Sequence, residues 1–198
     1  MNRPYTIKQY KEIVRKIRKA MPGVSISTDT ILGFCGETLW DFWLTKRLYR
    51  QLKFDMAYLA EYSERKGTAA SKVLKDNVGK KEKVRRKKSL NEVLIKNSLA
   101  YNQKFLGRTI KVLVERKSKD HWLGRNEEMK SVEFKIAGNT DEMIKDDDTR
   151  PPRLSQPACQ AERGGQGESD GGQVDLMGQF VNVKITKVKP WSLKGNLI

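Results

Sequence analysis

"VSISTDTILGFCGETLWDF", residues 24–42, decides how the first half of the chain is read. Val24 to Leu32 is rich in β-branched residues and alternates, so it reads as a buried strand. Gly33 and Gly36 break it, and Thr38 with Asp41 marks a helix start that runs to about Leu52. A strand delivering a glycine turn to a helix is one half of a crossover unit. Upstream, Ile7, Tyr10, Val14, Ile17 and Met21 share one helical face over residues 6–21. Thr6 with Gln9 fits a capping box there, and Pro22-Gly23 stops the helix. Downstream, Phe54 to Tyr62 reads as a second strand. Helix–strand–helix–strand with short connections predicts parallel strands joined by crossover helices.

A long helix follows over residues 80–105, with Leu90, Leu94, Tyr101 and Phe105 close to one face. Its opening, "KKEKVRRKK", holds seven Lys or Arg in the nine residues from Lys80 to Lys88. That run is either a solvated face or a contact to phosphates. From Gly107 the period falls to two. "RTIKVLVERK", "SVEFKI" (131–136) and "FVNVKITKV" (180–188) alternate between apolar and polar, which predicts a small antiparallel barrel with lysines outward. Residues 139–178 lack apolar periodicity and are rich in Gly, Pro, Gln and Ser, so they read as a disordered excursion.

The 198-residue chain has a net charge of +16. Residues 1–138 carry 32 Lys and Arg against 15 Asp and Glu, 139–178 carry 4 against 9, and 179–198 carry 4 against none. Basic segments thus flank an acidic one, which points to a polyanion, with RNA or DNA ahead of membranes. No apolar run approaches the ~20 residues of a membrane helix. Two distant cysteines, Cys35 and Cys159, argue against a disulfide framework and for a reducing cytoplasm. One histidine, His121, with two cysteines cannot close a zinc site, and neither a phosphate-binding nor a dinucleotide glycine fingerprint is present.

"MNRPYT", "ISTDTILGFCGET", "FDMAYLAEYS", "GTAASKVLKDNV", "KVLVE…WLGRN…VEF" and "GQFVNVKITKVKPWSLKG", taken in order, resemble the C-terminal half of the radical-SAM methylthiotransferases of the MiaB type. The resemblance covers about residues 1–138 and 178–198. It implies an α/β piece over residues 1–104, the last strands and helices of a partial (β/α) barrel, ending in the long basic helix. It implies next an all-β TRAM domain over 105–198, a small antiparallel OB-like barrel interrupted at 139–178. In the family, S-adenosylmethionine lies across the carboxyl ends of the barrel strands. The residues matching that rim are Arg3, Asp29, Gly33, Phe34, Gly36, Glu37, Thr38, Tyr58, Tyr62 and Ser63. For the TRAM part, the resemblance and the basic wall together nominate Lys111, Arg116, Arg125, Lys184, Lys187, Lys189 and Trp191 as tRNA contacts, with Trp122 or Trp191 either stacking on a base or filling the core.

The activity implied is 2-methylthiolation of isopentenyladenosine beside the anticodon of tRNA, using S-adenosylmethionine and [4Fe–4S] clusters. The family's C-x-x-x-C-x-x-C run is missing here, so no cluster is expected on this chain. A truncated or split gene product is expected, possibly completed in trans by an N-terminal half and inactive alone. The alternative is a stand-alone TRAM-type RNA-binding protein. Where the family carries more charge, this chain has Leu39, Trp40 and Trp43, an exposed apolar patch if they face water.

Overall fold

The computed structural model describes residues 3–118, 121–136 and 175–198. The excursion expected at 139–178 lies outside the described residues except for its last four, and Cys159 lies outside them too. The chain divides into two compact units, residues 1–104 and 105–198.

The first unit is α/β. Helix α1 (Ile7–Ala20) carries the Thr6–Gln9 capping box, and α2 (Leu39–Leu52) carries a second between Thr38 and Asp41. Each satisfies amide donors that a helix start would otherwise leave bare. Strands β1 (Ser27–Leu32) and β2 (Met56–Glu61) pair in parallel, Ser27 opposite Met56 and Leu32 opposite Glu61. A short α3 (Ala69–Val73), capped by Thr68, precedes α4 (Lys80–Asn102), which ends in a 3-10 turn, Gln103–Phe105.

The helices cover one face of this two-stranded sheet. Tyr10 of α1 hydrogen-bonds Thr28 at 3.1 Å, and Tyr49 of α2 hydrogen-bonds Thr30 at 2.6 Å. Burial and that bond's apolar surroundings push the Tyr49 phenol up to about 12. Leu32, Phe42, Phe54, Ala57, Leu90 and Leu94 fill the space between sheet and helices. Asp55, buried between the strands, accepts from Ser25 and from the Ile26 amide at 2.7 Å, fixing where β1 begins. Strand β1 is therefore shorter than the expected Val24–Leu32. It is also not buried as a whole, because with two strands the opposite face stays open: Ser27, Asp29, Ile31, Tyr58 and Ala60 are all exposed.

The second unit is a closed five-stranded barrel in the order β3-β4-β5-β7-β6. Its strands are β3 (Thr109–Lys117), β4 (Trp122–Asn126), β5 (Ser131–Lys135), β6 (Phe180–Val188) and β7 (Ser192–Leu197). The expected alternation holds: Val112, Val114, Val132, Phe134, Val183 and Ile185 point in, with Trp122 and Leu193. Contrary to the expected antiparallel barrel, β5 pairs with β7 in parallel. Bulges at Val114/Arg116 and Ile185/Lys187 add the coiling that closure demands. At Gly124 and Gly195, a Cβ would stand 2.2 Å from the Leu113 carbonyl oxygen and 2.4 Å from that of Lys184. Only glycine lets neighbouring strands pass this close.

Candidate functional site

The turn after β1 is internally saturated. Gly33 and Gly36 adopt φ of 70° and 79°, the left-handed region that favours glycine. The Gly33 and Phe34 amides donate to Glu37 Oε2 at 2.7 and 3.3 Å, and the Gly36 amide donates to Asn77 Oδ1 at 2.7 Å. The Glu37 amide donates to the Phe34 carbonyl at 2.9 Å. The other Glu37 oxygen accepts from Arg86 at 2.8 Å, and the same guanidinium reaches the Glu37 carbonyl at 3.1 Å. These four amides are thus spent within the protein and are not open to a ligand. Gly33 is required for a different close approach: a Cβ there would meet Lys83 Cγ at 2.5 Å.

Lys83 and Arg86 come from the basic run of α4, yet both are buried, at 5% and 4% exposure. Burying a cation is costly unless it is paired. Arg86 is held by Glu37 and by Glu82 at 2.9 Å, and Lys83 by Asp76 and by the Tyr62 carbonyl at 3.0 Å. Hydrogen bonds from Arg85 and then Arg86 hold the Glu82 carboxyl down at about 2. The Lys83 hydrogen bond lowers Asp76. These two basic side chains are structural; Arg85 and Lys87 are paired as well, with Glu82 and Glu61, but both side chains still reach solvent.

Beyond β2 the chain opens a cleft of about 560 Å³ lined by Glu61, Tyr62, Ser63, Glu64, Asp76, Asn77, Val78, Gly79, Lys80 and Lys83. It sits at the carboxyl end of a parallel strand, where α/β folds bind ligands. Phe34 packs edge-on against Tyr62, 5.0 Å between ring centroids. A hydrogen bond with Cys35 raises the Tyr62 phenol, and Glu64 and Asp76 push the same way. Cys35 is the one free thiol among the described residues, and no group of three metal-ligating side chains occurs among them.

On the barrel, cross-strand register places Lys111, Leu113 and Arg125 on the outer wall with Phe180, Asn182 and Lys184 of β6. Lys111 Nζ lies 4.7 Å from the Phe180 ring centroid. Arg125 Nε is 3.3 Å from Glu115. The wall carries cations on neighbouring strands, the arrangement that a phosphate backbone requires.

The family model of the TRAM domain matches residues 170–198, which include β6 and β7. Along its whole length the chain is similar to proteins named tRNA-2-methylthio-N(6)-dimethylallyladenosine synthase. The one from Buchnera aphidicola is 37% identical over 99% of this chain and 36% of that protein. Those from Bacillus licheniformis and Clostridium novyi are each 36% identical over 100% of this chain, and over 32% and 36% of their own lengths. The chain is a partial-length homologue of the tRNA methylthiotransferases. It spans about a third of the curated relatives it matches.

The rim candidates fall into four places. Gly33, Phe34, Gly36, Glu37 and Thr38 form the saturated turn and the cap of α2. Asp29 and Tyr58 are cross-strand partners on the open sheet face. Tyr62 and Ser63 line the cleft, and Arg3 is exposed before α1. Among the barrel candidates, Lys111, Arg116, Lys184 and Lys187 are exposed and Arg125 is half-buried. Lys189 is 7% exposed, too enclosed for the phosphate contact expected of it. Trp122 is core, packed inside the barrel under Lys117. Trp191 is half-buried, and its indole N–H is buried without a partner among the described residues. Glu64, Asp76, Asn77 and Phe180 were not singled out by sequence reasoning. Acidic and amide side chains beyond a strand end were the available signal, and Phe180 at an outward strand position was another.

Proposed function

We propose that this chain is the part of a tRNA methylthiotransferase that supplies one side of the S-adenosylmethionine site and the barrel that grips tRNA. The carrying observation is the match, over 99–100% of the chain, to proteins named as tRNA-modifying synthases. The α/β unit is read as the last strands and helices of a partial (β/α) radical-SAM barrel. A sheet covered by helices on one face and open on the other at Asp29, Ile31 and Tyr58 supports this, since a barrel interior would take that face.

The cleft after β2 fits parts of S-adenosylmethionine. Its carboxylates and Asn77 suit a ribose diol and a positively charged sulfonium or amino group, and Tyr62 with Phe34 offers aromatic surface. When bound, that cofactor supplies the radical initiator and the methyl group. This chain's part would be to orient it, with Tyr62 and Ser63 of the cleft and Asp29 and Tyr58 of the open sheet face as the residues that would hold it. A [4Fe–4S] cluster does not fit. It needs three thiolates with one iron left open, and the whole sequence holds two cysteines. A cluster-bearing segment supplied in trans would complete the site.

tRNA would meet Lys111, Arg116, Arg125, Lys184 and Lys187, with Trp191 beside them. The test is a gel-shift titration of tRNA at stepped salt. Affinity should fall by orders of magnitude between about 50 and 200 mM salt, as released counterions require. No salt-dependent binding would refute the tRNA-holding role.

A further inference from the structure

Phe180 opens β6 and is 63% exposed. It stands opposite Leu113, whose partner on its other side is Arg125. The outward positions around it on β3 and β6 are Lys111, Leu113, Asn182 and Lys184. Lys111 already holds its ammonium 4.7 Å from the ring centroid, a cation–π pair that orders both side chains. With strands spaced about 4.8 Å apart, the backbone of Arg125, two strands away, is roughly 10 Å from that of Phe180. Lys111 therefore covers one face of the ring, and Arg125 stands across the wall from it, a spacing that a single nucleotide's flanking phosphates can span.

We propose that Phe180 is a stacking platform for one unpaired RNA base, with Lys111, Lys184 and Arg125 taking the phosphates on either side. This rests on the reading of the barrel as RNA-binding, and it adds the side chain that takes an unpaired base. The occupant follows from area and charge. One ring among lysines offers far less apolar surface than the ~800 Å² per partner of a stable protein interface. A base needs only one ring, and its phosphates match the surrounding charge.

Binding of a fluorescent single-stranded RNA oligonucleotide and of a duplex of equal length, measured by anisotropy on the full chain at several salt concentrations, tests this. Phe180→Ala should weaken single-strand binding about tenfold, leave duplex binding and the salt slope unchanged, and keep the far-ultraviolet circular dichroism spectrum. Phe180→Trp should restore wild-type affinity. Lys111→Ala should reduce the salt slope by about 1. If Phe180→Ala binds both RNAs like wild type while Lys111→Ala still flattens the slope, the platform is wrong and the RNA-binding reading stands. If wild-type protein binds neither RNA, both fall. If Phe180→Ala instead dissociates a dimer in sedimentation and leaves RNA affinity intact, the ring belongs to a self-interface and the platform is refuted.

Discussion

Replacing Arg86 by methionine should come close to unfolding the α/β unit. The guanidinium is 4% exposed and the Glu37 side chain with which it pairs is 14% exposed, so the pair sits largely out of water. Removing one partner of such a pair leaves an uncompensated charge and costs about 3–5 kcal/mol. The loss bears on a unit whose whole stability is on the order of 5–15 kcal/mol. Glu37→Gln should cost less, about 1–2 kcal/mol, because the amide oxygen can still accept from Gly33 and Phe34. The double variant should cost less than the sum of the singles by about 2 kcal/mol, since each single leaves the opposite member of the pair uncompensated and the double leaves neither. Among the described residues all α-helices lie in the first unit, so ellipticity at 222 nm during urea unfolding follows chiefly the helices that the pair ties together. With a urea slope of about 2 kcal/mol per molar, Arg86→Met should move the midpoint down by about 1.5–2.5 M. A shift under about 0.5 M, or strict additivity in the double variant, would refute the claim that this pair ties α2 to α4.

Glu82 is held at about 2, against an ordinary 4.5, first by Arg85 and then by Arg86. Its folded pKa is depressed, so its contribution is full above about pH 4.5 and is lost as pH falls toward 2; Glu82→Gln should flatten the acid limb of stability in that window. Gly124→Ala places a methyl 2.2 Å from a backbone oxygen and should destabilise the barrel by about 3 kcal/mol. Thermal melting followed by near-ultraviolet dichroism, where buried Trp122 reports, should show it while the helical signal holds. Thr38→Ala removes the acceptor for the Asp41 amide and should cost about 1 kcal/mol in the urea titration at 222 nm.

What could be read beforehand was local. The capping boxes at Thr6 and Thr38 involve residues three apart, so their geometry is written into adjacent letters. The alternation of β3, β5 and β6 was equally plain. Strands β4 and β7 were not, because Gly124 and Gly195 occupy inward positions where an apolar residue would have marked the pattern. Those glycines exist because neighbouring strands crowd them, a fact of closure and not of sequence. Helix α3 has five residues, too few for a periodic signal. The basic run of α4 misled most. Charge density marks Lys80–Lys88 as a solvated face, and nothing nearby says that Arg86 turns inward to a glutamate 49 residues earlier.

The two strand ends therefore divide the work of a ligand site differently from what the glycines suggested. An anion approaching the turn after β1 would have to displace the Glu37 carboxylate from two amides and from a buried arginine, giving up interactions already made in low dielectric. The end of β2 carries the opposite offer. Glu61, Glu64 and Asp76 surround the cleft, and its buried cation, Lys83, is bound to Asp76 and the Tyr62 carbonyl. With three carboxylates against Lys80 and Lys83, the lining carries an excess of negative charge, which favours a ligand whose centre is cationic and whose periphery donates hydrogen bonds. A sulfonium flanked by an amino group and a ribose diol meets that description, and a nucleoside triphosphate does not. The barrel carries its exposed cations, Lys111, Arg116, Lys184 and Lys187, on its outer wall, so the charge a phosphate would seek belongs to that unit and not to the carboxylate-lined cleft.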